Sequence, residues 1–124
     1  MPKLEKEIEK MLTIEQLRNY GANVDDALRR CMNNEAFYLM LVNKAMGDNS
    51  IDKLKEAIEA GDLGSGFEMA HALKGVMGNL ALTPLSRPIE EITELLRNKT
   101  NMDYSGYIDE IMAQRDTLLK LMNE

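Results

Sequence analysis

Apolar residues recur along this chain at the three- and four-residue intervals of helices, and nowhere alternate with polar ones as in a half-buried strand. Leu4, Ile8 and Met11 form a first short stripe. Thr13 with Gln16 three residues later is a capping-box pattern, opening a short helix that Gly21 closes. Asn23 can cap a second short piece through Val24, Ala27, Leu28 and Cys31. From Asn34 a stronger helix places Phe37, Tyr38, Leu41, Val42 and Ala45 on one face and stops before Gly47. Ser50 caps a helix carrying Ile51, Leu54 and Ile58, and the next helix runs from Leu63 to Leu82. Pro88 fits a first turn capped by Ser86, which starts the following helix near Arg87, with Leu85, Ile89, Ile92 and Leu96 as its stripe. The stretch "NKTNMD" is a loop, and a last helix from Tyr104 to Met122 buries Ile108, Ile111, Leu118 and Met122.

Short connections make consecutive helices neighbours. The pattern therefore predicts an all-α fold, an antiparallel up-and-down four-helix bundle over residues 34–124. Short additional N-terminal helices, within residues 1–33, would lie across one end as a lid. With 124 residues there is enough chain for one core and too little for two ordinary domains, so 1–124 reads as a single domain.

Charge narrows the partners. Fifteen basic residues are scattered among 21 acidic ones for a net charge of −6, which argues against nucleic acid and anionic membrane. No apolar run has the length of a membrane span and the N-terminus lacks an apolar signal region, so the expected location is the cytoplasm. The one cysteine, Cys31, has no second thiol to pair with and reads as a core residue. Methionines 11, 69, 77, 112 and 122 read as core filler.

The stretch "HALKGVMGNL", residues 71–80, holds the only histidine and two glycines in the middle of a helix. Each such glycine costs roughly 1 kcal/mol relative to alanine. At about 100° per residue, Ala70, Leu73, Met77 and Leu80 share the core face. His71 points nearly the opposite way, with Lys74, Gly75 and Gly78 beside it and Phe67 and Glu68 one turn earlier. The glycines thus clear the outer surface beyond the imidazole and leave room for another molecule, while Lys74 adds a positive charge suited to an anion on the ring.

A neutral imidazole nitrogen is a nucleophile at physiological pH. A lone histidine without a cysteine pair does not make a zinc site, so no metal ligands are expected. No nucleophile elbow, Walker-type loop or kinase signature accompanies it. What remains is a histidine that accepts a group from one protein and gives it to another.

The residues "AHALKG" followed by "VMGNLAL" resemble the histidine-containing phosphotransfer (HPt) domain of bacterial phosphorelays, whose pattern is His, any residue, an aliphatic, Lys, Gly and a small-residue stretch. The resemblance is specific over residues 67 to 97. It implies that His71 is the phosphoacceptor, modified on Nε2 by a histidine kinase or by the phospho-aspartate of a receiver domain. Lys74 matches the lysine that balances phosphoryl charge, and Gly75 the glycine that lets the receiver dock, with Gly78, Phe67 and Glu68 around it. No intrinsic cofactor is implied, because Mg²⁺ and the acceptor aspartate belong to the receiver. The chain would act as a monomeric phosphorelay intermediate without kinase or phosphatase activity of its own. Departures are Met77 for a small residue, Ala81 for a frequent glycine, and Thr93 where the family often has a Gln that bonds the imidazole. Glu90 and Arg97 stand one turn to either side of Thr93.

Two alternatives stay open. A helical module could bind and sequester a receiver without taking phosphate, keeping the surface around Gly75 and Gly78. The chain could also be the phosphoacceptor domain of a larger histidine kinase, although no trailing linker suggests it.

Overall fold

A computed structural model describes residues 11–123, so Leu4 and Ile8 of the first stripe lie outside it. The described residues form seven helices: α1 (Ile14–Tyr20), α2 (Val24–Arg30), α3 (Glu35–Met46), α4 (Ser50–Glu59), α5 (Leu63–Asn79), α6 (Thr83–Arg97) and α7 (Ser105–Met122). The fold is the expected all-α bundle. Helices α4 to α7 close a ring in which each packs on the next and α7 returns to α4, while α3 also packs on α7. At 10 residues α4 spans roughly 15 Å, against about 25 Å for the 17 residues of α5, so α3 and α4 together supply the fourth edge. Among the described residues no helix is long and apolar enough to cross a membrane.

Local chemistry starts and stops these helices much as the sequence predicts. The Thr13–Gln16 capping box is formed, Gly21 ends α1 in the left-handed conformation, and the Asn23 side chain accepts from the backbone N–H of Asp26. Ser50 is an exception. Asn49 occupies the cap position, and the Ser50 hydroxyl instead donates to Asp48 at 2.7 Å.

Three boundaries and faces differ from the sequence reading. Helix α5 stops at Asn79, not Leu82, because Ala81 turns left-handed with φ of 55°. The N–H of Ala81 then bonds the Gly78 carbonyl and that of Leu82 the Met77 carbonyl, a Schellman closure in which glycine is the usual residue. Helix α6 starts at Thr83, not Arg87, with Pro84 in its first turn and Pro88 inside it. Leu85, Ser86, Pro88 and Ile89 are all buried there, and that packing outweighs the one intrahelical hydrogen bond Pro88 cannot make. Ser86 is therefore an interior residue and not a cap. On α3 the buried face is Tyr38, Val42 and Met46, while Phe37 is 43% exposed. It lies on the solvent flank because the α3 stripe is a narrow i, i+4 row.

The core runs through Leu54, Leu73, Met77, Leu85, Ile89, Ile92, Leu96, Ile111 and Leu118. Cys31 is buried with it as expected, and Met77 fills the centre while Met11, Met69, Met112 and Met122 are half-buried. Close approach of α4 to α5 rests on Gly66: a β-carbon there would stand 2.9 Å from Ile58 Cδ1.

The N-terminal helices gather at one end of the bundle. The Asn23 N–H donates to the Ala81 carbonyl at 2.9 Å, the Tyr38 hydroxyl to the Leu80 carbonyl at 2.9 Å, and Gln16 Nε2 to the Leu121 carbonyl at 3.0 Å. Burial pushes the Tyr38 phenol up to about 12, which keeps it protonated as a donor. Tyr38→Phe is expected to lower stability by about 1–2 kcal/mol, because the buried Leu80 carbonyl loses its partner. Urea unfolding of the two proteins checks this; equal midpoints would mean that water or backbone adjustment satisfies Leu80.

Candidate functional site

His71 sits at the middle of α5 on the face turned away from the ring, and its side chain is exposed. Ala70, Leu73 and Met77 hold the opposite face in the core, so the imidazole's direction is fixed by packing on the far side of the same helix. Beyond the ring the surface is bare: a β-carbon at Gly75 or at Gly78 would meet nothing within 4 Å. Neither glycine therefore serves helix packing, in contrast to Gly66.

This bare stretch floors a shallow depression of about 360 Å³. His71, Lys74, Gly75 and Gly78 line one side, and Glu90 of α6 faces them. Arg30 and Asn79 close the far end, and sequence reasoning missed both. Arg30 is 49 residues from Asn79, and only the seating of α2 across the bundle end brings its Nη1 to 3.0 Å from Asn79 Oδ1. No local signal could have found it.

The imidazole is braced by an aromatic contact. The Phe67 and His71 rings lie 5.7 Å apart at 39°, a tilted pairing one helical turn long. Behind Phe67 the Arg97 guanidinium stacks at 4.9 Å from the ring centroid. Arg97 Nε also contacts Glu94 Oε2 at 3.4 Å, and Glu94 Oε1 lies 3.8 Å from Lys74 Nζ. A chain of contacts thus runs from Lys74 through Glu94, Arg97 and Phe67 back to His71. These ion pairs are half-exposed and individually weak. Together they link α5 to α6 beside the imidazole.

Thr93 is corrected by the structure. It is fully buried, and its hydroxyl donates to the Ile89 carbonyl at 2.6 Å, so it points into the bundle and cannot orient the imidazole. Glu68 also stands apart from the depression, facing a separate groove of about 410 Å³ with Met69, Ala72 and Val76. Among the described residues no side chain hydrogen-bonds His71, and no group of three or more His, Cys, Asp or Glu residues is placed to hold a metal ion.

The fold and this surface define a class: a helical bundle that presents one histidine on an open, glycine-cleared helix face. The family model for the Hpt domain matches residues 42–123, and the chain belongs to that family. It is accordingly a histidine phosphotransfer module of two-component signalling. No curated protein and no solved structure matches the chain. The matched region holds the ring of four helices and His71, whereas α1, α2 and most of α3 precede it.

Gly75→Ala is expected to stabilise the isolated chain by about 0.5–1 kcal/mol, since the added methyl meets open space and alanine is the better helix former. Thermal melting checks this. A lower Tm would mean that the glycine relieves some strain within the fold.

Proposed function

We propose that His71 is the phosphoacceptor of this module and that it exchanges the phosphoryl group with an aspartate of a receiver domain, as an intermediate between a histidine kinase and its response regulator. The observation that carries this reading is the open face: an exposed imidazole with two glycines clearing the helix beyond it. A protein partner, unlike a small donor, needs that much flat surface.

In the proposed step the Nε2 lone pair of His71 attacks the phosphorus of the receiver's aspartyl phosphate. The Nε2–P bond forms as the P–O bond to the aspartate breaks. The carboxylate leaves with the electron pair, and Nδ1 keeps its hydrogen. Lys74 sits one turn along from the ring, and its ammonium, only loosely engaged by Glu94 at 3.8 Å, is placed to turn toward the added negative charge. Phe67 and Arg97 hold the ring so that less orientation has to be found on encounter. Catalysis then consists of positioning and charge balance, the usual content of phosphoryl transfer. Mg²⁺, in this reading, is held by the receiver. One acceptor on an open face suffices, so the module works as a monomer.

The test is transfer from a receiver domain phosphorylated with acetyl phosphate and Mg²⁺, with the product examined for the acid lability of a phosphohistidine. Label is expected on the native chain and none on His71→Gln, whose helical content and Tm should be unchanged. Gly75→Gln should keep the imidazole intact yet slow transfer by about tenfold or more, because the side chain lies where the partner must sit. Normal transfer in that variant would sink the steric reading of the glycines. Binding of receivers with no label on the native chain would favour a sequestering module instead.

A further inference from the structure

The far end of the depression carries charge that the phosphoacceptor does not use. Arg30, at the C-terminal end of α2, donates from Nη1 to Asn79 Oδ1 at 3.0 Å, and its Nη2 lies 3.3 Å from Asp26 Oδ2. Asp26 also takes Arg29 at 3.3 Å, while the neighbouring Asp25 is engaged by Arg18 at 2.8 Å. Two guanidinium groups therefore share the Asp26 carboxylate, so Arg30 is only partly neutralised on its own helix, and Glu90 stands across the depression from it. The guanidinium of Arg30 is held from two sides, yet the side chain stays about half exposed at 51%.

Distance decides what this cation can do. Asn79 stands eight positions after His71, about 12 Å along the helix axis, and the imidazole leans the other way. That separation sets Arg30 at the opposite end of the depression from the imidazole. It is the right separation for the edge of a protein seated over Gly75 and Gly78. A fixed, planar fork of donors on such a rim suits a carboxylate.

Resting on the phosphotransfer reading above, we propose that Arg30 is a partner-recognition residue that pairs with a carboxylate at the edge of the docked receiver domain, away from the reacting aspartate. Arg30 precedes the region matched by the family model, so this contact belongs to the chain's own N-terminal helices and not to the shared phosphotransfer core. It selects among receivers and leaves the chemistry at His71 alone. Glu90, on the facing wall, sharpens the choice by repelling a carboxylate placed on the wrong side.

The experiment uses the full chain and receiver domains from the same genome, each phosphorylated with acetyl phosphate and Mg²⁺, taking the fastest donor to the native chain. Transfer kinetics are compared for the native chain, Arg30→Gln and Arg30→Glu over a range of salt. The same preparations are melted and labelled directly with phosphoramidate, which needs no receiver. The expected result is a KM for the receiver raised about threefold by Gln and about tenfold by Glu, with kcat and phosphoramidate labelling unchanged and a shallower salt dependence. Equal KM values for all three proteins would overturn the Arg30 assignment while leaving the phosphotransfer reading in place. So would a common loss in both variants that follows a lowered Tm, the mark of a tie that only seats α2. Phosphoramidate label on His71 with no transfer from any receiver to the native chain would instead overturn the phosphotransfer reading, and this proposal with it.

Discussion

A turn between two helices that is buried must find partners for its peptide groups away from water, and the arrangement of this protein follows from that requirement at Leu80–Leu82. The Schellman closure takes care of the N–H groups of Ala81 and Leu82. The carbonyls of Leu80 and Ala81 are left facing the bundle end, and the Tyr38 hydroxyl and the Asn23 N–H come from α3 and the start of α2 to meet them. The N-terminal helices are thus part of the core's own accounting of polar groups. Seating α2 there carries Arg30 to the end of the depression, so a backbone requirement at one end of the bundle shapes the surface beside His71.

Helix α5 answers two demands on opposite faces. Inward, Gly66 lets Ile58 approach and Ala70, Leu73 and Met77 fill the ring. Outward, the glycines at 75 and 78 contribute nothing to packing and lower helix propensity, a loss that the proposed function would set against a clear docking face. Orientation of the imidazole is handled in a similarly indirect way. With Thr93 turned into the core, Phe67 braces the ring from its own helix, and Arg97 reaches Phe67 from the neighbouring one.

The helices and the outward face of His71 were legible in the sequence because both depend on local periodicity, and the Thr13, Asn23 and Gly21 signals act within a few residues of themselves. Boundaries failed where tertiary burial overruled local preference. Pro88 argued for a late start to α6, but the burial of Leu85, Ser86 and Ile89 extends the helix back past it. Ala81 gave no sign of its left-handed backbone, although a glycine there would have. Thr93 was placed by matching a motif, although its position four residues after Ile89 and three before Leu96 sets it in the stripe that packs inward. Arg30 lay beyond any local reading, since its place in the site is set by an element folded back from 49 residues away.

The openness of the floor around Gly75 and Gly78 also bears on time. A face flat enough for a protein is equally open to bulk water, and His71 is exposed on it. On the phosphotransfer reading, the group would be retained by the slow hydrolysis of its own nitrogen–phosphorus bond and not by a sheltering pocket. The module would then behave as a leaky store, whose signal persists only as long as receivers are encountered faster than water reacts.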